Sequence, residues 1–528
     1  VNLKNHYNLF PFCRTLMGPE TWYRILAESN TGLAADKIPD YLKDKQQEFA
    51  FPEYLPDLAA AELALENTRA TSPKIPAEVR KITLNPTLQV LHLPWTLSCV
   101  FKKRPSFPEK KEEWLLIWWN PRQNRARVQS ASPEDLLILK MVAEDISPET
   151  AGEMGNLTPG RLRALLLKAS RKGFLLAPPS RIRREPDFYV SGDSIPDRFL
   201  TAGSFTLQWH ITNACDLHCR HCYDRSRRSQ LEIEQGYGIL DDLDAFCHSK
   251  GVTGNVCFTG GNPFLHPRFD LLYRRAHELG FNLSILGNPV PRDRVEQILE
   301  IRKPSFFQVS LEGLPEHNDW IRGKGEFNRV IEFLGVLRDL KIESGVMLTL
   351  TRDNMQQILP LAERLRGHTD TFTFNRLSPV GEGAHLALPD PKDYEAFLCR
   401  YAEAARSLPH VGIKDNLMNI LFDREERSLF GGCTGFGCGA AFNFLAVLPD
   451  GEVHACRKFP SPVGNIFEKT LETIYDSPEA NIYRKGTEAC RDCVLRPVCG
   501  SCLAVVQGMG GKLFRDRDPF CFYKRQQG

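Results

Sequence analysis

Phe205-Thr206-Leu207-Gln208-Trp209-His210-Ile211 is an apolar, strand-like run, and it leads within four residues into Cys215-Asp216-Leu217-His218-Cys219-Arg220-His221-Cys222-Tyr223. Thiolates spaced three and then two residues apart on one loop can ligate three irons of a cubane 4Fe-4S cluster. Three protein ligands leave the fourth iron open to a substrate or cofactor, which points to chemistry rather than structure. The competing reading of the same residues is a closed zinc site with His218 or His221 as fourth ligand.

Outward from this loop, short apolar runs alternate with amphipathic stretches. Strands are expected over 205–211, 255–259, 282–286, 306–311, 346–351 and 371–375, and helices over 231–247, 269–279, 295–301, 327–340 and 355–365. Strand-helix repetition implies a parallel sheet with right-handed crossovers. Six units make a partial (β/α)6 TIM-like barrel over 204–395, with the cysteine loop at the carboxyl end of its first strand, where barrels keep their active sites.

Bulk properties fit a large soluble enzyme. The chain has 528 residues, 42% hydrophobic and 25% charged, and a formal net charge of +2, which gives no global case for nucleic acid or membrane binding. No membrane span and no signal core are read, so a cytoplasmic location is expected. The 16 cysteines crowd into the triplet and a C-terminal stretch. That distribution favours metal ligation over a disulfide framework. Cys13, Cys99, Cys247, Cys257 and Cys399 stand alone and are expected to be small buried hydrophobes.

The triplet with its barrel resembles the radical S-adenosylmethionine (radical SAM) superfamily. The resemblance implies that the open iron chelates S-adenosylmethionine, which on one-electron reduction releases a 5'-deoxyadenosyl radical. Thr259-Gly260-Gly261-Asn262-Pro263 resembles the family's Gly-Gly-Glu-Pro motif, which holds the methionine amino group, with Asn262 in place of the usual Glu. An amide oxygen can still accept from an ammonium group, without charge assistance. By the same resemblance, Ser310 and Glu312 are candidates for the ribose hydroxyls. Met347 belongs to the strand that stacks on adenine, and Tyr223 is placed with these cofactor-binding residues. Arg376-Leu377-Ser378-Pro379-Val380-Gly381 resembles the sixth-strand segment of peptide-modifying members.

After connecting helices expected over 396–432, the C-terminal region 433–528 contains Cys433, Cys438, Cys456, Cys490, Cys493, Cys499, Cys502 and Cys521, enough for two fully ligated 4Fe-4S clusters. Zinc ribbons are the alternative for its C-x2-C pairs. The pattern resembles the SPASM extension of radical SAM peptide maturases, although only two residues separate Cys499 from Cys502 where the family has three. The resemblance assigns Cys433, Cys438, Cys456 and Cys502 to an inner cluster and Cys490, Cys493, Cys499 and Cys521 to an outer one. With the loop of Cys215, Cys219 and Cys222, three 4Fe-4S clusters are expected.

Residues 1–107 are read as a helical N-terminal region whose clearest helix start is at 54–62. Over 108–180 a hairpin (114–119, turn at 120–124, 125–129) and three helices (133–143, 147–154, 159–172) give the outline of a winged helix. Within a SPASM enzyme this resembles the PqqD-like element that binds a precursor-peptide leader by adding a strand to its sheet. The competing reading is a DNA-binding winged helix carrying Arg161, Arg163, Lys168, Arg171 and Lys172, and a purely structural domain is a third. A Pro- and Arg-rich linker follows at 181–203.

The expected function is that of a radical SAM/SPASM oxidoreductase that modifies a ribosomally made precursor peptide, held by its leader, with an electron donor such as flavodoxin or ferredoxin. The overall arrangement resembles the selenobiotic-type maturases, which implies cysteine or selenocysteine as target and a thioether or oxazole-type product. Maturation of a folded protein, as by sulfatase maturases, and redox-responsive DNA binding are the alternatives.

Overall fold

The computed structural model describes residues 8–28, 34–49, 51–72, 75–76, 79–102, 106–155, 157–184 and 195–523. They form two compact units that divide between Pro179 and Ser180.

In the first unit, helices including Pro19–Glu28, Ile38–Asp44 and Leu55–Thr71 precede the strands β1 (Thr83–Leu84), β2 (Gln89–Leu93), β3 (Glu113–Asn120) and β4 (Arg125–Ser130). β2, β3 and β4 make an antiparallel sheet in that order. Three helices follow, Pro133–Ala143, Pro148–Met154 and Pro159–Lys172. Each opens on a hydroxyl cap (Ser132, Ser147, Thr158) with proline behind it, and the last stops at Gly173 with φ 92°. β5 (Leu175–Leu176) then pairs with β1.

β3 is buried on both faces. Leu115 and Ile117 pack with Trp22, Leu55 and Leu58, while Leu116 and Trp118 pack with Ile138, Leu162 and Phe174. The expected hairpin and three helices are therefore part of a larger unit. β2, from the region expected to be helical, is the third strand of their sheet, and the boundary expected at 107/108 cuts across it. Gln89-Val90-Leu91-His92-Leu93 alternates at period two, but its five residues gain stability only once β3 is beside them.

Of the linker, residues 185–194 lie outside the described residues. Arg183 and Thr201 flank them and form an antiparallel bridge.

The second unit is built on β6 (Ser204–Thr212), β7 (Thr253–Gly260), β8 (Asn282–Leu286), β9 (Phe306–Ser310), β10 (Ser344–Leu350) and β11 (Thr371–Arg376), parallel and in sequence order. This is the expected α/β arrangement with a parallel sheet and a C-terminal cysteine-rich region. Helices such as Ile233–Lys250, Phe269–Glu278 and Glu326–Asp339 connect the strands, and Phe205, Leu207, Trp209, Phe258, Phe307 and Leu348 lie in one continuous core with them. The sheet then extends past β6. β12 (Phe444–Val447) pairs parallel to it, and β13 (Glu452–His454) and β14 (Pro462–Asn465) follow antiparallel. Cysteine-bearing loops thus hang from the same sheet as the first cysteine triplet.

Cys13, Cys99, Cys247 and Cys257 are buried as expected, but Cys399 is exposed on the helix Pro391–Ser407. Helical periodicity, not side-chain hydrophobicity, decides that position.

A chain fragment starting at residue 108 lacks β2 and the helices that cover Leu115 and Ile117. We expect residues 108–179 to aggregate or stay unfolded and residues 1–179 to give dispersed amide spectra; well-dispersed spectra from both would show that β2 is dispensable.

Candidate active site and cysteine sets

The cysteine loop is held at both ends by main-chain contacts. Thr212 O accepts from Gly261 N–H at 2.9 Å and Ala214 O from Asn262 N–H at 2.8 Å, while Cys222 O accepts from Glu382 N–H at 2.8 Å. A Cβ on Gly260 would lie 2.2 Å from Thr212 O and one on Gly261 would lie 2.1 Å from Ala214 O, and Gly260 has φ +127°. Two glycines are thus required by the passage of the loop's own backbone, besides any ligand they face.

A cavity of about 430 Å³ opens over this loop at the carboxyl ends of the parallel strands. It is lined by Cys215, Cys219, Cys222, Tyr223, Gly260, Gly261, Ser310 and Met347, which are eight of the eleven residues expected around the cofactor. Tyr223 Oη lies 3.1 Å from the ring of buried His210. Burial, reinforced by the charge of Arg457, pushes His210 down to about 3, so it stays neutral and pins the tyrosine.

Three expected cofactor residues are not on the cavity wall. Pro263 is buried at the start of a short 3-10 turn. Asn262 is buried, with Nδ2 donating to Asp216 Oδ1 at 3.2 Å and Oδ1 accepting from Phe264 N–H at 3.4 Å, so its amide braces the loop. Glu312 is 1% exposed; Oε2 accepts from Thr349 N–H at 2.7 Å, and Oε1 faces His221 Nε2 at 3.4 Å and Arg322 Nη1 at 3.5 Å. Buried between three partners, that carboxylate ties β9 to β10 and the cysteine loop, which leaves Ser310 as the hydroxyl-binding candidate on the wall.

The C-terminal cysteines fall into two groups. Cys433, Cys438, Cys456 and Cys502 all line a second cavity of about 160 Å³, together with Lys414, Arg457 and Lys458. Their thiols interact electrostatically with one another. Cys490 feels Cys493 and Cys521, and Cys499 feels Cys490 and Cys521. Burial pushes Cys433 up to about 11, Cys490 to about 12 and, in the first loop, Cys219 to about 11. Such thiols ionise only if a positive centre compensates them, so the donor sets fit iron-sulfur clusters. Among the described residues, no three His, Cys, Asp or Glu side chains converge on a single-ion site.

Sequence reasoning missed the residues that fix these groups. Arg376, at the end of β11, donates through Nε to Asp415 Oδ2 at 2.8 Å and through both Nη atoms to Asp518 at 2.7 and 2.6 Å. All three are buried. Asp518 Oδ2 accepts from Cys502 N–H at 3.3 Å and its main-chain oxygen from Cys521 N–H at 2.9 Å, one cysteine from each group. Asn416 does the same from the other side, accepting from Cys433 N–H and donating to Cys499 O, both at 2.7 Å. Arg376 opens the segment Arg376-Leu377-Ser378-Pro379-Val380-Gly381, whereas Asp415, Asn416 and Asp518 carry no local signal.

Asp518→Ala leaves the Arg376 charge half compensated in the interior, and we expect a loss of about 3–5 kcal/mol in denaturant unfolding of the anaerobically loaded protein. A loss under about 1 kcal/mol would mean that Asp415 alone satisfies the guanidinium.

Residues 209–365 match the radical SAM superfamily, and residues 438–494 match SPASM, an iron-sulfur cluster-binding domain. The antilisterial bacteriocin subtilosin biosynthesis protein AlbA of Bacillus subtilis is 26% identical over 355 residues, covering 62% of this chain and 74% of that protein. An AdoMet-dependent heme synthase of Nitratidesulfovibrio vulgaris is 27% identical over 369 residues, covering 62% and 95%. The crystal structure of Streptococcus suis SuiB bound to its precursor peptide SuiA shares the fold, with TM-score 0.51, 16% identity, and coverage of 78% of this chain and 97% of SuiB. No helix among the described residues is long and apolar enough to cross a membrane. A three-cysteine loop at the head of a parallel sheet, two cysteine groups beyond it and these matches together make the chain a radical SAM enzyme with a SPASM domain, for which S-adenosylmethionine and 4Fe-4S clusters are the implied cofactors.

Proposed function

We propose that this enzyme modifies a ribosomally made precursor peptide. The observation that carries the reading is the larger cavity, whose wall runs from Cys215, Cys219 and Cys222 through Ser310 and Met347 to Arg376, Arg457 and Lys458 beside the inner cysteine group. Cofactor and substrate therefore meet in one chamber. The naming of AlbA for bacteriocin biosynthesis and the peptide bound to SuiB support a peptide as the substrate.

In this reading Cys215, Cys219 and Cys222 hold the first cluster, Gly260 and Gly261 present backbone to the cofactor, Ser310 takes its ribose and Met347 its adenine. When bound, the cluster and S-adenosylmethionine supply hydrogen-abstracting radical chemistry. Cys433, Cys438, Cys456 and Cys502 hold an inner auxiliary cluster and Cys490, Cys493, Cys499 and Cys521 an outer one, which together can pass on the electron left by oxidation of the product. The protein's own contribution at the reacting end is to pin Tyr223 on neutral His210 and to keep Arg376 and its carboxylates out of the chamber's chemistry. A small electron-transfer protein such as flavodoxin or ferredoxin supplies the first electron.

The leader is recognised by the first unit, whose β4 is a sheet edge that an added strand can extend. Three of the five cations on which a DNA-binding reading depends are taken by carboxylates of the same unit: Arg161 by Glu134, Arg163 by Glu149 and Lys172 by Asp135. The most specific part of the reading, carried by the resemblance to selenobiotic-type maturases, is that the target residue is cysteine or selenocysteine.

Peptides captured by the full-length protein from host lysate, then treated with S-adenosylmethionine and reductant, are expected to change mass at such a residue. Reconstituted protein should bind about twelve irons per chain, Cys219→Ala should form no 5'-deoxyadenosine, and removal of residues 1–179 should lower peptide turnover by more than about tenfold. Undiminished turnover by the shortened protein would point instead to a folded-protein substrate.

A further inference from the structure

Five cations line the larger cavity, and they differ in one respect. Arg225 faces Glu382 at 4.0 Å, Arg322 faces Glu312 at 3.5 Å and Arg376 grips Asp518 at 2.6 Å. Arg457 and Lys458 have no carboxylate partner among the described residues. Arg457 reaches only Thr259 Oγ1, at 3.4 Å, and Lys458 donates to the main-chain oxygen of Arg376 at 3.0 Å. Both are half-buried. The cavity's own acidic lining residue, Asp224, is taken by Arg228 at 3.4 Å.

Two adjacent cations on a concave wall, with every nearby carboxylate already committed, make a receptor for an anion. The thiols of the inner group account for only part of this charge. Lys414 has Cys433 as its main attractive partner and lines the smaller cavity but not the chamber, whereas Arg457 and Lys458, which also interact with Cys456, line both. Arg457 extends the other way, to the end of β7 next to Gly260 and into the chamber where substrate has to lie. A guanidinium there presents a planar fork that matches a carboxylate, and Lys458 adds a point charge beside it.

We propose that Arg457 and Lys458 hold a carboxylate of the substrate, so that the peptide carries an aspartate or glutamate side chain, or its own C-terminus, next to the residue that loses hydrogen. This rests on the peptide reading above and names the chemistry that orients the peptide in the chamber. Holding the anion fixes which C–H faces the cofactor.

The test is calorimetric binding to the anaerobically reconstituted full-length protein in the presence of S-adenosylmethionine. The probes are N-acetyl-glutamate methylamide, its neutral glutamine counterpart and N-acetyl-alanine free acid. At least one acid is expected to bind at least about tenfold more tightly than the neutral amide, equivalent to about 1.4 kcal/mol. The stronger acid tells a side-chain carboxylate from a C-terminal one. Arg457→Gln and Lys458→Met, checked for unchanged iron content, should each remove that preference while S-adenosylmethionine affinity stays within about twofold. Equal binding of acids and amide by the unaltered protein overturns the proposal without any variant. Loss of S-adenosylmethionine affinity in Arg457→Gln also overturns it, because the cations would then serve the cofactor. Either failure leaves the mass change of a captured peptide, and so the maturase reading, untouched.

Discussion

The interior placement of Arg376 is the constraint on which the second unit depends. Arg376 is 4% exposed and its guanidinium lies between Asp415 and Asp518, so one positive charge faces two negative ones with no solvent to share the load. The excess is absorbed by donors: Tyr394 Oη and Leu417 N–H on Asp415, at 2.9 and 2.8 Å, and Phe520 N–H on Asp518 at 3.0 Å. A network this buried is stabilising only when every member is present. It joins the last barrel strand, the segment after the barrel and the loop between Cys502 and Cys521, so none of the three can settle independently of the others.

The cysteine groups follow from that joint. In sequence they interleave: Cys502 belongs with Cys433, Cys438 and Cys456, although Cys499, three residues earlier, belongs with Cys490 and Cys521. Positive φ at Gly500 and Ser501, 68° in both, reverses the chain so that neighbouring cysteines face different groups. Crossing of this kind closes long loops, and metal binding is one source of free energy that can offset the entropy it costs. Burial keeps the thiols protonated until a positive centre compensates them, so loading releases their protons.

The strands of the parallel sheet were legible because short apolar or alternating runs bounded by turn residues recur between amphipathic helices. Residues 282–286 were expected and Asn282–Leu286 observed; 205–211 were expected and Ser204–Thr212 observed. β2 and β12 to β14 were not read, since each is five residues or fewer and lies outside the strand-helix alternation that marks the parallel strands; β12 also takes its place from β6, far along the chain. The site divides in the same way. Cysteine spacing is local and could be read, and so could the Gly-Gly pair. The Arg376 network spans 142 residues and left no local trace. The orientation of Glu312 was equally hidden, because a strand-end carboxylate looks the same in sequence whether it faces the chamber or His221 and Arg322.

Asn262 shows how a single departure from a motif is balanced by its surroundings. Asp216, next to Cys215, accepts from Asn262 Nδ2 at 3.2 Å, from Asn288 Nδ2 at 2.7 Å and from Arg329 Nη2 at 3.0 Å. Burial alone would raise its pKa, but these donors outweigh that and hold its carboxyl below the usual range. A glutamate at position 262 would put a second carboxylate against Asp216 and remove one of its donors, a like-charge contact in a half-buried corner. Asparagine avoids this, and the negative charge at that corner of the site resides on the cysteine loop itself, where Arg329 from the helix Glu326–Asp339 anchors it.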